Sequence, residues 1–153
     1  MIARHLLRLA MLWVLTPTVL AAQKGRDLSK YNACKVLTPA DVSAAAKQKI
    51  VTSVGGGVHC SYVVQAPNSG SDTYDFYLNE APIVEALLES KTGAEKGAPV
   101  PGLWNEAYVG PSVGSPKQLS LVALRKRDIA IEIQGPSRDV LIALARVAVA
   151  RLK

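Results

Sequence analysis

Histidine, cysteine, methionine and tryptophan each occur only twice in 153 residues, and phenylalanine once. Both methionines, Trp13 and His5 fall within the first 22 residues, so the rest of the chain has His59 as its only imidazole and Trp104 as its only indole. A triad, a zinc cluster or a general base built on histidine would have to pass through His59 alone. Gly55 to Gly57 lacks the Gly-Lys-Ser/Thr ending of a P-loop and precedes an alternating stretch instead of a helix, so it reads as a hairpin turn. Ser61 has no nucleophile-elbow pattern around it. The apolar run near the start, Leu9 to Leu20, is interrupted by Pro17 and falls short of the roughly 20 residues that span a bilayer.

That run instead reads as the h-region of a signal peptide. Arg4, His5 and Arg8 make a basic n-region, and Val19-Leu20-Ala21-Ala22 offers small residues for cleavage after Ala21 or Ala22. Residues 1–22 are expected to be removed, residues 23–33 to form a flexible lead-in, and residues 34–153 to fold as one domain. Removal lowers the net charge from +6 to about +4, a mild excess that favours acidic partners and little more, and no nucleic-acid partner is expected. No cysteine stands at the cleavage site to carry a lipid. The expected location is periplasmic or secreted, with no transmembrane span in the mature chain. Two cysteines in such a compartment point to a Cys34–Cys60 disulfide, and the alternative, a thiol or metal pair, meets no zinc or redox spacing.

The best-marked local structure lies between those cysteines. Thr38 stands at a helix N-cap, Pro39 at the first helical position and Asp41 near the positive helix end, while Leu37 and Val42 occupy the places of a hydrophobic staple. After the glycines, Val58, Cys60, Tyr62 and Val64 alternate with His59, Ser61, Val63 and Gln65, which predicts a strand. Further strands are expected over 50–54, 73–78, 106–110, 119–125 and 129–134. Helices are expected after Asn79, with Ile83, Val84, Leu87 and Leu88 on one face, and from Ser137 to Leu152. Runs of neighbouring strands predict an α+β domain: an antiparallel sheet of about five to six strands, helices packed on one face, and one disulfide.

Candidate sites are sparse. His59 reads as an exposed sheet residue. Arg125, Lys126 and Arg127 cluster at a predicted hairpin tip, where an anionic envelope component would find positive charge, although three residues fall short of a polybasic patch. Trp104 closes a Gly/Pro-rich crossing near Tyr108 and is either a plug over the core or a binding anchor. No catalytic residue, metal ligand or cofactor is assigned.

Ala-Cys-Lys-Val-Leu-Thr-Pro-Ala-Asp-Val at 33–42, Cys-Ser-Tyr at 60–62 and Val-Pro-Gly-Leu-Trp-Asn-Glu-Ala-Tyr at 100–108 resemble a loose group of small bacterial secreted domains of unknown function, many of them lipoproteins. The resemblance implies an α+β fold with its paired cysteines bridged, and nothing about activity. This chain departs from it in lacking a lipidation cysteine and in carrying Trp104 where such domains often have glycine. The resulting expectation is a non-enzymatic binding module of the cell envelope that meets an envelope protein or an anionic component. The alternatives are an inhibitor of an envelope hydrolase, which would need a protruding loop such as Lys91 to Leu103, and a histidine-independent enzyme, which would need a cleft of carboxylates with raised pKa.

Overall fold

The computed structural model describes residues 25–66 and 70–153; the expected signal peptide and the Pro67-Asn68-Ser69 turn lie outside them. Seven antiparallel strands form one sheet. In chain order they are β1 (Ile50–Gly56), β2 (His59–Gln65), β3 (Ser71–Glu80), β4 (Ala98–Pro99), β5 (Glu106–Ser112), β6 (Ser115–Arg125) and β7 (Ile129–Gly135). Their order across the sheet is β1-β2-β3-β7-β6-β5-β4. The helices are α1 (Ala33–Val36), α2 (Pro39–Ala46), α3 (Ala81–Ser90), α4 (Gly93–Lys96) and α5 (Arg138–Arg151).

The strand count corrects the expected five to six. The additional strand, β4, lies in a Pro/Gly-rich stretch whose composition reads as loop, yet Ala98 and Pro99 pair with Val109 and Tyr108 at the sheet edge. Proline is tolerated there because an edge strand needs donors on one side only. Gly97, at φ 88°, lets the backbone approach: a Cβ would sit 2.4 Å from the Val109 carbonyl oxygen.

One face of the sheet is dry. Cys60, Tyr62 and Val64 of β2 align with Tyr74, Phe76 and Leu78 of β3, then with Ile129, Ile131 and Ile133 of β7, Leu121 and Ala123 of β6, and Ala107 and Val109 of β5. The helices α1, α2 and α5 cover this face, with Leu141, Leu144, Ala145 and Ala148 of α5 buried against it. Thr38 caps α2 as expected and forms with Asp41 a capping box, and the staple residues Leu37 and Val42 are fully buried. The Cys34–Cys60 disulfide is formed and ties α1 to β2.

The expectation that all helices share that face is also corrected. Helix α3 packs on the opposite face, where Ala81, Val84 and Leu88 meet Leu124 of β6 and Ala130 of β7. Ile83 and Leu87, expected inward with Val84 and Leu88, point to solvent. Residues 25–33 are held against the body from their start, with the Arg26 amide donating to the Asp128 carbonyl at 2.9 Å and Ala33 buried at the opening of α1.

Candidate functional site on the open face of the sheet

Because α3 crosses only one end of its face, part of the sheet surface stays uncovered, and the antiparallel register sets its residues in rows. One row runs Ser61, Asp75, Gln134, Ser120 across β2, β3, β7 and β6; the next runs His59, Tyr77, Glu132, Val122. Side chains at such paired positions are close enough to interact directly.

These residues are joined by hydrogen bonds. The Ser120 hydroxyl and the Gln134 amide both donate to Glu132 Oε1 at 2.8 Å, and the Ser112 hydroxyl donates to Gln134 Oε1 at 3.3 Å. At the other end of the rows His59 Nε2 lies 3.3 Å from Asp75 Oδ1, and its ring stacks on Tyr77 with centroids 4.5 Å apart. Partial burial pushes the Tyr77 phenol above its ordinary pKa, with Asp75 and Glu132 adding to the rise because a phenolate would face two carboxylates. The result is a pre-arranged strip of planar polar groups and one aromatic pair, carrying two carboxylates. Such a strip can hydrogen-bond and stack against a partner at little ordering cost.

The sequence-derived candidates fall elsewhere and do not form one site. Trp104, at φ 44°, packs against the main core with the Arg125 guanidinium 5.1 Å from its ring centroid. Tyr108 packs against the smaller cluster on the other side of the sheet, donates to Glu106 at 3.2 Å and has Lys96 Nζ 5.9 Å from its ring centroid. At the β6–β7 turn the three basic residues diverge. Arg125 Nε is 2.5 Å from Asp128, which also receives Arg26, while Lys126 Nζ is 2.7 Å from Glu106. Arg127 adopts φ 60° at the turn.

Lys126, Arg127 and Lys96 line a cleft of about 380 Å³ together with Glu85, Glu89 and Glu106. The charges in it are of both signs, and the hydrogen bond from Lys126 draws the Glu106 pKa down. The carboxyl groups of Asp41, Glu95 and Glu106 each have their pKa drawn below the ordinary range. The Lys91–Leu103 crossing lies along the sheet edge as α4 and β4, with Val100 and Leu103 buried. Among the described residues no group of three or more His, Cys, Asp or Glu side chains is placed to hold a metal ion, and no helix is long and apolar enough to cross a membrane.

Sequence reasoning singled out His59 but missed Asp75, Tyr77, Glu132 and Gln134. The strand alternation carried a signal, since Asp75, Tyr77 and Glu132 stand between apolar neighbours and Gln134 follows Ile133 in the same phase as Glu132; what the alternation lacks is the strand order that brings β7 beside β3. Compared with known proteins, the chain matches no family model, no curated sequence and no solved structure.

Proposed function

We propose that this chain is an exported, disulfide-braced binding module of the cell envelope, and that it meets a protein partner through the open strip His59, Asp75, Tyr77, Glu132 and Gln134. One observation carries the reading. A sheet whose other face is buried under helices from β2 to β5 leaves this strip uncovered, with its polar groups already ordered by one another. Surface polar groups fixed in this way favour recognition, because the partner need not order them. The disulfide supports an oxidising compartment, as does the basic and apolar start of the sequence.

The two carboxylates favour a partner presenting basic or hydrogen-bond-donating groups over an anionic one. At the basic turn Arg125 and Lys126 are each paired with a carboxylate, so that turn offers an anion less than its sequence suggests. Trp104, packed on the core under Arg125, acts as a plug. The downward pKa shifts of Asp41, Glu95 and Glu106 lend no support to a carboxylate-based enzyme, and the crossing folded onto the sheet edge lends none to an inhibitory loop.

The test is retention of envelope proteins by the immobilised chain, comparing wild type with a His59→Ala/Tyr77→Ala variant and with Trp104→Ala. The double variant should lose a specific partner while remaining folded. Trp104→Ala should retain that partner in proportion to its folded fraction. Equal retention by wild type and the double variant defeats the reading.

A further inference from the structure

The two edges of the sheet are built differently. On one side β4 is two residues long, contains Pro99 and is followed by Pro101, so it presents almost no ladder to another chain. On the other side β1 runs seven residues, Ile50–Gly56, with no charged residue and no proline. Every residue from Val51 to Val58 is exposed, and Val51, Val54 and Val58 are 63%, 67% and 43% exposed. Sheets ordinarily guard a long edge with lysine, proline or an inward charge, because unpaired backbone groups recruit another strand. β1 has only a register shift between Ile50 and Thr52, which leaves Thr52–Gly56 regular.

We infer that β1 pairs antiparallel with β1 of a second copy of this chain about a two-fold axis, joining two sheets into one. Self-pairing sets no charges against each other within the strand. Lys47 and Lys49 precede it, and an antiparallel two-fold sends the two lysine-bearing ends to opposite ends of the pair, about 20 Å apart at ~3.3 Å per residue. A parallel pairing would set those lysines side by side. With the axis near Ser53, inside the regular stretch Thr52–Gly56, Thr52 of each copy faces Val54 of the other, a favourable β-branched pair.

The first described residue lies away from this edge. Gly25 lies against Pro82 and Asp128, beside the start of β7, and β7 is three strands from β1, about 14 Å at ~4.8 Å per strand. In a chain processed after Ala22 only Gln23 and Lys24 precede Gly25, and these would also have to round the sheet end to reach the β1 edge.

Sedimentation equilibrium of the chain as purified with its disulfide intact tests the inference. Wild type should be a dimer that dissociates on dilution, and Val51→Lys/Val54→Lys should weaken it roughly tenfold or more by setting lysines into the pairing. Both substitutions replace solvent-facing side chains, so circular dichroism and the melting temperature measured on dilute monomer should be unchanged. Ile83→Lys/Leu87→Lys, which alters the exposed apolar pair on α3, should leave the dimer intact. A monomeric wild type overturns the inference, as does a dimer that survives the β1 lysines or is lost only with the α3 lysines. A monomer whose β1 amides gain protection only when a foreign extended peptide is added assigns the edge to another partner and likewise overturns it. Self-association and envelope retention are measured separately, so the failure of either leaves the other standing.

Discussion

Two adjacent residues of β3 summarise how differently the faces of this sheet are used. Phe76 points to the dry face, fully buried between Cys60 and Ile133, while Tyr77 points to the open face between His59 and Glu132. On the dry side three helices exclude water and apolar burial supplies the stability. On the other side α3 covers only the end near Leu124 and Ala130, and what remains is ordered by hydrogen bonds among its own polar groups. Stability and recognition are thus assigned to opposite surfaces of the same strands. Substitutions should respect that division.

The largest effect is expected on the dry face. Phe76→Ala removes a fully buried ring at the centre of the sheet, and large-to-small changes of this kind cost about 3–5 kcal/mol. The midpoint of urea unfolding should fall accordingly, and retention of a partner per folded molecule should not change. A loss below about 1 kcal/mol would mean that the dry face is not the main source of stability.

A smaller effect, with a pH signature, is expected at the rim of that face, where Arg151 of α5 donates to Asp41 Oδ2 at 2.6 Å and to the Val36 carbonyl at 2.7 Å, clamping α1, α2 and α5 together. The hydrogen bond from Arg151, helped by those from Thr38 and opposed by burial, lowers the Asp41 pKa to about 2. Since the folded value lies below the ordinary carboxylate range, this stabilisation is fully present above about pH 4 and is lost as pH falls towards 2. The Arg151 side chain is 42% exposed, so solvent screening reduces the contribution to about 1 kcal/mol. Asp41→Asn should therefore destabilise the protein by about that amount at pH 7, and the difference from wild type should shrink as the pH approaches 2. A difference that stays constant from pH 7 to pH 2 would show that the ion pair is not its origin.

How much of this was legible from sequence depends on whether the signal is local. The α2 cap, the staple and the alternation of Ile129, Ile131 and Ile133 lie within a few residues of one another, and each predicted its element. Helices α1 and α4, four residues each, and the two-residue β4 are too short to establish a period. The placement of α3 was hidden because Ile83, Val84, Leu87 and Leu88 are all apolar, so composition does not say which pair faces inward. The apolar residues at polar-phase positions, Val122, Leu124 and Ala130, were the available clue that the second face carries a helix. The open strip was least legible of all. It draws on β2, β3, β7 and β6, and the pairing of β3 with β7 joins Tyr77 to a residue more than 50 positions away in sequence.

The smallest stability effect and the most informative functional one should come from the centre of the open strip. Glu132→Gln keeps an acceptor for Ser120 and Gln134 and removes only the charge, so unfolding free energy should stay within about 0.5 kcal/mol of wild type. Tyr77 reports the same change independently. Its pKa is raised first by burial, then by Asp75 and Glu132, so neutralising Glu132 should move its titration partway down, as followed by ring-carbon NMR shifts, while burial and Asp75 hold it above the ordinary value. A basic partner recognised through this strip should dissociate faster from the variant, because the lost carboxylate leaves the partner's charge unpaired. If Tyr77 shifts as expected and partner retention is unchanged, the charge is altered but unused, and recognition through the open face fails at its central residue. If retention falls together with that shift in a fully folded variant, the division of labour between the two faces holds at the level of one carboxylate.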